Sequence, residues 1–226
     1  MDRLDCNRNF DCFVGAGIAA EFAAGYMLEV LQKEEKRGGI KVAIVSDRQV
    51  SGYYYNQDDP LTFKSHLAYV PDNPDVYEFM TGIAYLDFIS NIFKVGEEKN
   101  ELIHKYASMF GIENDLANPI KAYSHGMKQK IQIIAAILHK PKLMVLDEPF
   151  VGLDPKAAFD LKEVMKELCK EGTMILFSSH VLEVVEKFCN KIAIIKKGKI
   201  IASGLTEDVR AGESLEEKFM ELFDEK

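Results

Sequence analysis

The chain has 226 residues, of which 47% are hydrophobic, and 28 basic against 36 acidic side chains give it a formal net charge of −8. This apolar content excludes an intrinsically disordered chain, and the acidic balance argues against a protein that binds nucleic acid through its phosphates. The four cysteines contain no CxxC pair and match neither a zinc site nor a disulfide framework, so a reducing cytosolic compartment is expected.

Residues 1–59 show no clear alternation of strands and helices, and only a short helix over 18–36 and a strand over 40–45 are predicted there. The most apolar stretch, residues 13–31, is interrupted by two glutamates. Because carboxylates are costly inside a membrane, we expect no transmembrane span, and any work at a membrane then requires a bound partner.

From residue 61 onward the sequence is better punctuated. A strand ended by a proline is predicted over 67–70, and residues 71–75 have the composition of a turn. Two helices are predicted to follow, over 77–93 and 97–110.

Residues 124–202 carry the clearest pattern. A helix ended by Pro141 is predicted from four apolar residues that recur at helical spacing: Ile131, Ile134, Ala135 and Leu138. Asp154 and Pro155 supply the cap and the first residue of another helix, which Gly172 ends. That helix spans about 155–170. Strands are predicted over 143–146, 173–177, 192–195 and 200–202, and further helices over 181–188 and 214–225. This alternation implies a parallel sheet with helical crossovers.

Polar residues follow two of these strands, at the sheet edge where ligands bind in such folds. Asp147 can hold Mg²⁺ directly or through water, and Glu148 can orient a water for attack on phosphorus. His180 could hydrogen-bond a terminal phosphate, with Ser178 and Ser179 just before it. Each residue alone is more often a helix cap, a solvated turn or a structural histidine, but together at this spacing they indicate phosphate chemistry.

Four motifs stand in order within about sixty residues: Tyr123-Ser124-His125-Gly126-Met127-Lys128-Gln129-Lys130, residues 143–149, Gly152-Leu153-Asp154-Pro155, and Ser179-His180. They resemble the signature, Walker B, D-loop and H-loop of the ATP-binding cassette (ABC) ATPase family, and most closely the cassettes of exporters. The resemblance covers about residues 61–205.

The family likeness implies an α/β fold, with a P-loop NTPase-like parallel sheet core, a helical subdomain and an incomplete or aberrant N-terminal part. Residues 1–60 are expected to be an aberrant or unassigned segment, and residues 61–75 a sheet segment with a Q-loop-like hinge. The helical subdomain is expected over 76–122, the ATPase core over 123–205 and a helical tail over 206–226.

The resemblance also assigns roles to single residues. Ser124 and Gly126 would face the γ-phosphate of ATP held by a second subunit, where the helix dipole favours an anion. The departures at His125 and Met127 leave this Ser and Gly in place. Asp147 would bind Mg²⁺, and Glu148 would be the general base. Asp154 would lie at the dimer contact, and His180 would sense the γ-phosphate.

Asp72 stands where the family usually has a glutamine that reaches Mg²⁺ and the attacking water. A carboxylate also ligates a hard cation, so Asp72 is a candidate metal ligand. An ordinary turn residue is an equally good interpretation.

The partners that the family implies are a transmembrane permease subunit and a second ATP-binding cassette, in a homodimer or a heterodimer. The chain would then work in the cytoplasm, peripherally on the inner face of the cell membrane, and power export. No nucleic-acid partner is expected, because the chain has one set of motifs, no long heptad run and an acidic balance.

The phosphate cradle of the family, G-x-x-x-x-G-K-[ST], is absent from the sequence. The Gly198-Lys199 pair is followed by Ile200, and no lysine follows residues 15–17 closely. Without these charge-assisted hydrogen bonds, the chain alone is predicted to bind ATP weakly or not at all.

Three explanations of the missing cradle stay open. The first sixty residues could come from a wrong reading frame or a late start. The chain could be a degenerate cassette, a non-catalytic protein that complements or regulates a partner ATPase. The third explanation is a new N-terminal module.

Overall fold

The computed structural model of the chain describes residues 10–14, 43–45, 52–54, 65–196 and 199–224. These residues fall into two compact units, one formed by Ser65–Ile175 and the other by the residues on either side of it. The predicted helix over 18–36 lies outside the described residues. No helix among the described residues is long and apolar enough to cross a membrane.

The strands and helices are named in chain order. The strands are β1 (Phe10–Val14), β2 (Ala43–Val45), β3 (Gly52–Tyr54), β4 (Leu67–Val70), β5 (Leu143–Leu146), β6 (Met174–Ser179), β7 (Lys191–Lys196) and β8 (Lys199–Leu205). The helices are α1 (Gly82–Ile92), α2 (Lys99–Met109), α3 (His125–Ile137), α4 (Pro155–Lys170), α5 (Leu182–Phe188), α6 (Thr206–Arg210) and α7 (Leu215–Asp224).

In the unit formed by Ser65–Ile175, β4 and β5 pair in parallel, with Leu67 opposite Leu143 and Val70 opposite Leu146. β4 has the predicted bounds, and so does β5, which is buried except at its third residue. The first residue of β6 lies beside β5, since the Met174 N–H donates to the Lys142 carbonyl at 2.8 Å. The predicted α/β architecture with parallel strands is therefore present.

The helix predicted over 77–93 is wrong at its start, because α1 begins at Gly82. Residues 78–83 instead exchange backbone hydrogen bonds with residues 116–121, including Gly82 N–H to Asn118 O at 3.2 Å and Ile120 N–H to Met80 O at 2.9 Å. These long-range bonds compete with the local helix, and Thr81 caps the helix that remains. The second predicted helix is confirmed as α2.

Helix α3 passes through the core of this unit. The predicted buried face is confirmed, but Ile133 and Ile137 are also buried, so apolar contact surrounds much of the helix rather than one stripe. Two glutamines of α3, Gln129 and Gln132, are buried among these apolar residues. Such a helix forms by packing more than by its own propensity.

In the other unit the strand order is β6-β1-β7-β8. β1 runs parallel to β7, with Val14 opposite Ile194, whereas β8 is antiparallel to β7 with a register shift after Ile194. The strand β1 was not predicted from the sequence. β2 lies inside the predicted strand 40–45 and pairs with β3 in an antiparallel ribbon.

The C-terminal helix α7 confirms the predicted helix over 214–225. Glu186 of α5 joins it to the preceding chain: one carboxylate oxygen accepts the Leu215 N–H at 2.7 Å, and the other lies 3.2 Å from the Arg210 guanidinium. Arg210 also donates to the Glu213 carbonyl at 2.9 Å. Since Leu215 is fully buried, α7 is packed into its unit.

The ring of His139, just beyond α3, stacks on Phe93 with 4.0 Å between the ring centroids, and its Nε2 lies 3.3 Å from the Leu67 carbonyl. Burial lowers the pKa of His139, with His66 adding a smaller effect in the same direction. The unfolded chain therefore takes up a proton on His139 at a higher pH than the folded chain does.

We expect His139 to make the free energy of unfolding fall as the pH drops from 7.5 to 5.5, since protonation favours the unfolded chain. The variant His139→Phe keeps the stacking and removes the titration, so its stability should change less over the same range. Urea denaturation of both proteins at the two pH values measures the difference. An equal pH dependence in both would contradict the assignment to His139.

Candidate functional site

Strand β5 delivers Asp147 and Glu148 to the edge of the β4–β5 pair. The Asp147 N–H donates to the Val70 carbonyl at 2.8 Å, so the backbone is fixed where the carboxylates begin. Both side chains are half-buried. The two adjacent carboxylates thus lie at the predicted strand end, supported by a buried strand.

Glu148 has a left-handed backbone, with φ at +45°. Residues other than glycine rarely adopt this conformation, and they keep it where the surrounding structure fixes them, often at functional sites. The Val151 N–H closes the following turn by donating to the Glu148 carbonyl at 3.1 Å. The direction of the Glu148 side chain is therefore set by a strained backbone.

Residues 149–154, here called the 149–154 turn, connect Glu148 to α4. Asp154 caps α4 as predicted, since its Oδ1 accepts the Ala157 N–H at 2.9 Å. Its Oδ2 accepts from Lys130 Nζ at 2.7 Å. The Lys130 hydrogen bond, followed by that of Ala157, lowers the pKa of Asp154.

The N-terminus of α3 carries the residues of the signature-like motif. Ser124 is the cap, and its hydroxyl accepts the Met127 N–H at 3.3 Å. Ser124 and His125 are exposed, which leaves the start of α3 open to solvent. Because the first N–H groups of a helix have no intrahelical acceptor, this end can receive an anion.

Three contacts join the start of α3 to the 149–154 turn. A Cβ at Gly126 would lie 2.6 Å from the Gly152 carbonyl oxygen, so only glycine permits this approach. Gln129 Nε2 donates to the Pro149 carbonyl at 3.2 Å, and Lys130 reaches Asp154. The structure thus brings the signature-like helix, the predicted dimer-contact residue and the turn after Glu148 together.

Asp72 is exposed in the turn after β4. It lies two residues beyond Val70, whose carbonyl receives the Asp147 N–H. Asp72 and Asp147 therefore stand at the ends of neighbouring parallel strands, and a metal role for Asp72 stays a prediction.

Carboxylate oxygens at this edge are the donors that Mg²⁺ prefers, and protein sites for this ion usually combine one or two carboxylates with substrate phosphates. Among the described residues, no group of three or more His, Cys, Asp or Glu side chains is placed to hold a metal ion. The carboxylates of Asp147 and Glu148 are donors of the kind that Mg²⁺ takes.

His180 belongs to the other unit and is exposed directly after β6. The prediction that Ser178 and Ser179 follow the strand is wrong, because β6 runs to Ser179 and both serines are buried. The Ser179 hydroxyl accepts the Val181 N–H at 3.1 Å and so fixes the turn that carries His180.

Gln129 was not predicted from the sequence, although it is fully buried and bonded to the turn after Glu148. A glutamine near a helix start gives no sign of burial by itself. Only the fold shows that Gln129 contacts Pro149 and that its neighbour Lys130 contacts Asp154. The glycines and lysine considered for a phosphate cradle, Gly15, Gly17, Gly198 and Lys199, lie outside the described side chains.

Comparison with known proteins finds one matching family model and several curated ABC transporter ATP-binding proteins. Residues 44–186 match the family model described as "AAA domain, putative AbiEii toxin, Type IV TA system". The uncharacterized ABC transporter ATP-binding protein YthP of Bacillus subtilis is 35% identical over 164 residues, which cover 68% of this chain and 69% of that protein. The uncharacterized ABC transporter ATP-binding protein sll0415 of Synechocystis is 30% identical over 186 residues, which cover 81% of this chain and 49% of that protein. The chain spans about half the length of the first two curated relatives.

Comparison with solved structures also finds components of ABC transporters. An ATP-binding subunit of an ABC transporter matches with a TM-score of 0.79 and 28% identity, over 96% of this chain and 88% of that one. The protein cbiO1 from Clostridium perfringens, described as part of the ABC transporter complex cbiONQ, shares the fold at 19% identity with a TM-score of 0.63, over 93% and 82% of the two chains. The predicted fold class is confirmed.

Replacing Asp154 separates its cap from its charge. We expect Asp154→Ala to lower the free energy of unfolding by about 1 kcal/mol, because the Ala157 N–H loses its acceptor. Asp154→Asn should cost less, since asparagine also caps a helix and the exposed ion pair with Lys130 contributes little. Urea denaturation measures both. Equal losses in the two variants would show that the charge, and not the cap, carries the stability.

Proposed function

Because the chain belongs to the ABC transporter ATP-binding proteins, we propose that it is a cassette subunit that works with a second cassette to power export through a membrane permease. The observation that carries this proposal is the contact between the open N-terminus of α3 and the turn that follows Glu148. One chain thereby carries a nucleotide-binding surface for its partner and a hydrolytic carboxylate in the same unit.

In this proposal α3 binds the nucleotide of the partner cassette. The N–H groups that follow Ser124 face the γ-phosphate, and the helix dipole stabilises its negative charge. Gly126 supplies a backbone that no side chain shields. Asp154, at the far end of the 149–154 turn, lies at the dimer contact.

Glu148 is the proposed general base, and its half-buried carboxylate accepts a proton from the attacking water. Asp147 and Asp72 would bind Mg²⁺ directly or through water. When bound, that ion neutralises charge on the phosphates. The family likeness gives His180 a hydrogen bond to a γ-phosphate, and its exposed position after β6 leaves the ring accessible for that role.

The proposed permease partner has a surface to bind. Tyr77 and Phe79 are exposed, the latter by 84%, with their ring centroids 5.9 Å apart, and Phe88 lies 5.8 Å from Tyr77. Exposed aromatic clusters of this kind mark protein contacts. Residues 78–83 are bonded to the segment that leads into Ser124, so a partner on this surface adjoins the signature-like helix. We place the chain on the cytoplasmic face of the membrane through this contact.

A second candidate function follows from the missing cradle. The sequence has the signature-like helix but no G-x-x-x-x-G-K-[ST]. Such a chain would complement a competent cassette: it would supply Ser124 and Gly126 to the partner's nucleotide without holding its own.

Calorimetric titration of the chain with Mg·ATP, alone and with a cassette from the same organism that has an intact cradle, tests these functions. We expect weak or no binding by the chain alone, and faster ATP hydrolysis by the pair than by the partner alone. Micromolar binding by the isolated chain would contradict the lost cradle.

In the pair, Ser124→Ala should lower hydrolysis at least tenfold, because the loss of one fixed donor site to a developing phosphate charge has that order of effect. Ser108→Ala, at an exposed serine near the end of α2, is the matched control and should change nothing. If Ser124→Ala behaves like the control, the chain does not serve its partner's nucleotide.

A further inference from the structure

Burying the side-chain amide of Gln129 among apolar residues costs free energy. Gln129 is fully buried on α3, and its Oε1 has no hydrogen-bond partner among the described residues. A buried polar atom without a partner destabilises the fold, and a leucine of similar size would avoid that cost. The favourable bond of the side chain, from Nε2 to the Pro149 carbonyl, is therefore informative about its role.

The acceptor of that bond is the carbonyl of Pro149, the residue directly after Glu148. A residue that precedes proline is already restricted, and Glu148 in addition has a positive φ. Such a conformation persists only where several contacts fix it. Before Glu148 the Asp147 N–H donates to the Val70 carbonyl, and after it the Val151 N–H donates to the Glu148 carbonyl.

Gln129 contacts the 149–154 turn from outside, at the residue next to Glu148. The Gly126–Gly152 approach and the Lys130–Asp154 pair hold the turn farther along the chain. Asp154 is half exposed, and an exposed ion pair of this kind contributes little. The Gln129 bond is buried, so water does not replace it.

We propose that Gln129 is a positioning residue: its amide fixes the Pro149 carbonyl and thereby the left-handed backbone that aims Glu148. The inference rests on the proposed function, because it assigns Gln129 to the same hydrolysis through Glu148. Gln129 touches no reacting atom. It ties the helix that would bind the partner's nucleotide to the carboxylate that would take a proton from the water attacking this chain's own nucleotide.

The test compares Gln129→Leu with Gln132→Leu. Both replace a buried α3 glutamine whose Oε1 has no partner among the described residues, with a side chain of similar size, but only Gln129 is bonded to the 149–154 turn. Gln132→Leu removes an unpaired oxygen and should be about as stable as the wild type in urea denaturation, whereas Gln129→Leu also leaves the Pro149 carbonyl without its donor and should unfold at a somewhat lower urea concentration. Gln129→Met serves as a second variant if Gln129→Leu does not fold.

The first readout is amide hydrogen exchange, which needs no ATP hydrolysis. In Gln129→Leu the Val151 amide, bonded to the Glu148 carbonyl, should exchange about five to ten times faster, as expected when one hydrogen bond of the turn is lost. The Ala158 amide in α4 should not change, and Gln132→Leu should change neither. Unaltered exchange at Val151 in Gln129→Leu would overturn the proposal.

The second readout is steady-state ATP hydrolysis by the full chain paired with a competent cassette. In a pair in which this chain also holds Mg·ATP, Gln129→Leu should lower kcat at least tenfold with KM for ATP within about twofold, because misplacing a catalytic group affects the chemical step. Where this chain holds none, Glu148 has no phosphate to act on, and the exchange readout alone decides the proposal. Gln132→Leu should leave both near wild type. A kcat for Gln129→Leu within twofold of wild type would contradict the positioning role. If the wild-type pair does not hydrolyse ATP faster than the partner alone, the proposed function fails, and the exchange result still decides whether Gln129 fixes the turn.

Discussion

The close approach of α3 to the turn after Glu148 is the constraint on which the site depends. The Gly152 carbonyl oxygen would lie 2.6 Å from a Cβ at Gly126, and Gly152 itself has φ at +80° with His125 beside it. A side chain at position 126 would clash with backbone, and one at position 152 would crowd the His125 and Gln129 side chains in a left-handed conformation that favours glycine. Because both are glycine, the helix that presents Ser124 and the turn that follows the β5 carboxylates form one body. A displacement of the helix is therefore expected to displace the turn, and the reverse.

Two unfavourable features of this unit lie at the same place. Glu148 has a backbone conformation that costs free energy, and the Gln129 amide oxygen is buried without a partner among the described residues. The surrounding structure offsets these costs: β5 is largely buried, Asp154 caps α4, and apolar residues enclose α3. Strain that a stable framework tolerates is typical of sites whose function needs a fixed geometry.

The sequence predicted those parts of the fold that local signals determine. Strands β4 and β5 and the start of α4 at Asp154-Pro155 were predicted as observed, because a proline, a cap and short apolar runs act within a few residues. The start of α1 was mispredicted because residues 78–83 bond to residues 116–121, and β6 proved longer because its last two serines are buried. The predicted carboxylates and signature-like residues lie where expected at their strand and helix ends. Gln129 could not be predicted, since its role depends on a carbonyl twenty residues away.

The central claim, that glycine at position 126 lets α3 and the turn after Glu148 form one body, is tested most directly by the stability of Gly126→Ala. In an open helix position alanine is more favourable than glycine by up to about 1 kcal/mol. Here the added Cβ meets backbone rather than a flexible side chain, so we predict that the free energy of unfolding falls by about 1–3 kcal/mol in urea denaturation. An unchanged or increased stability would show that the helix and the turn are not in contact as described, and would contradict the account.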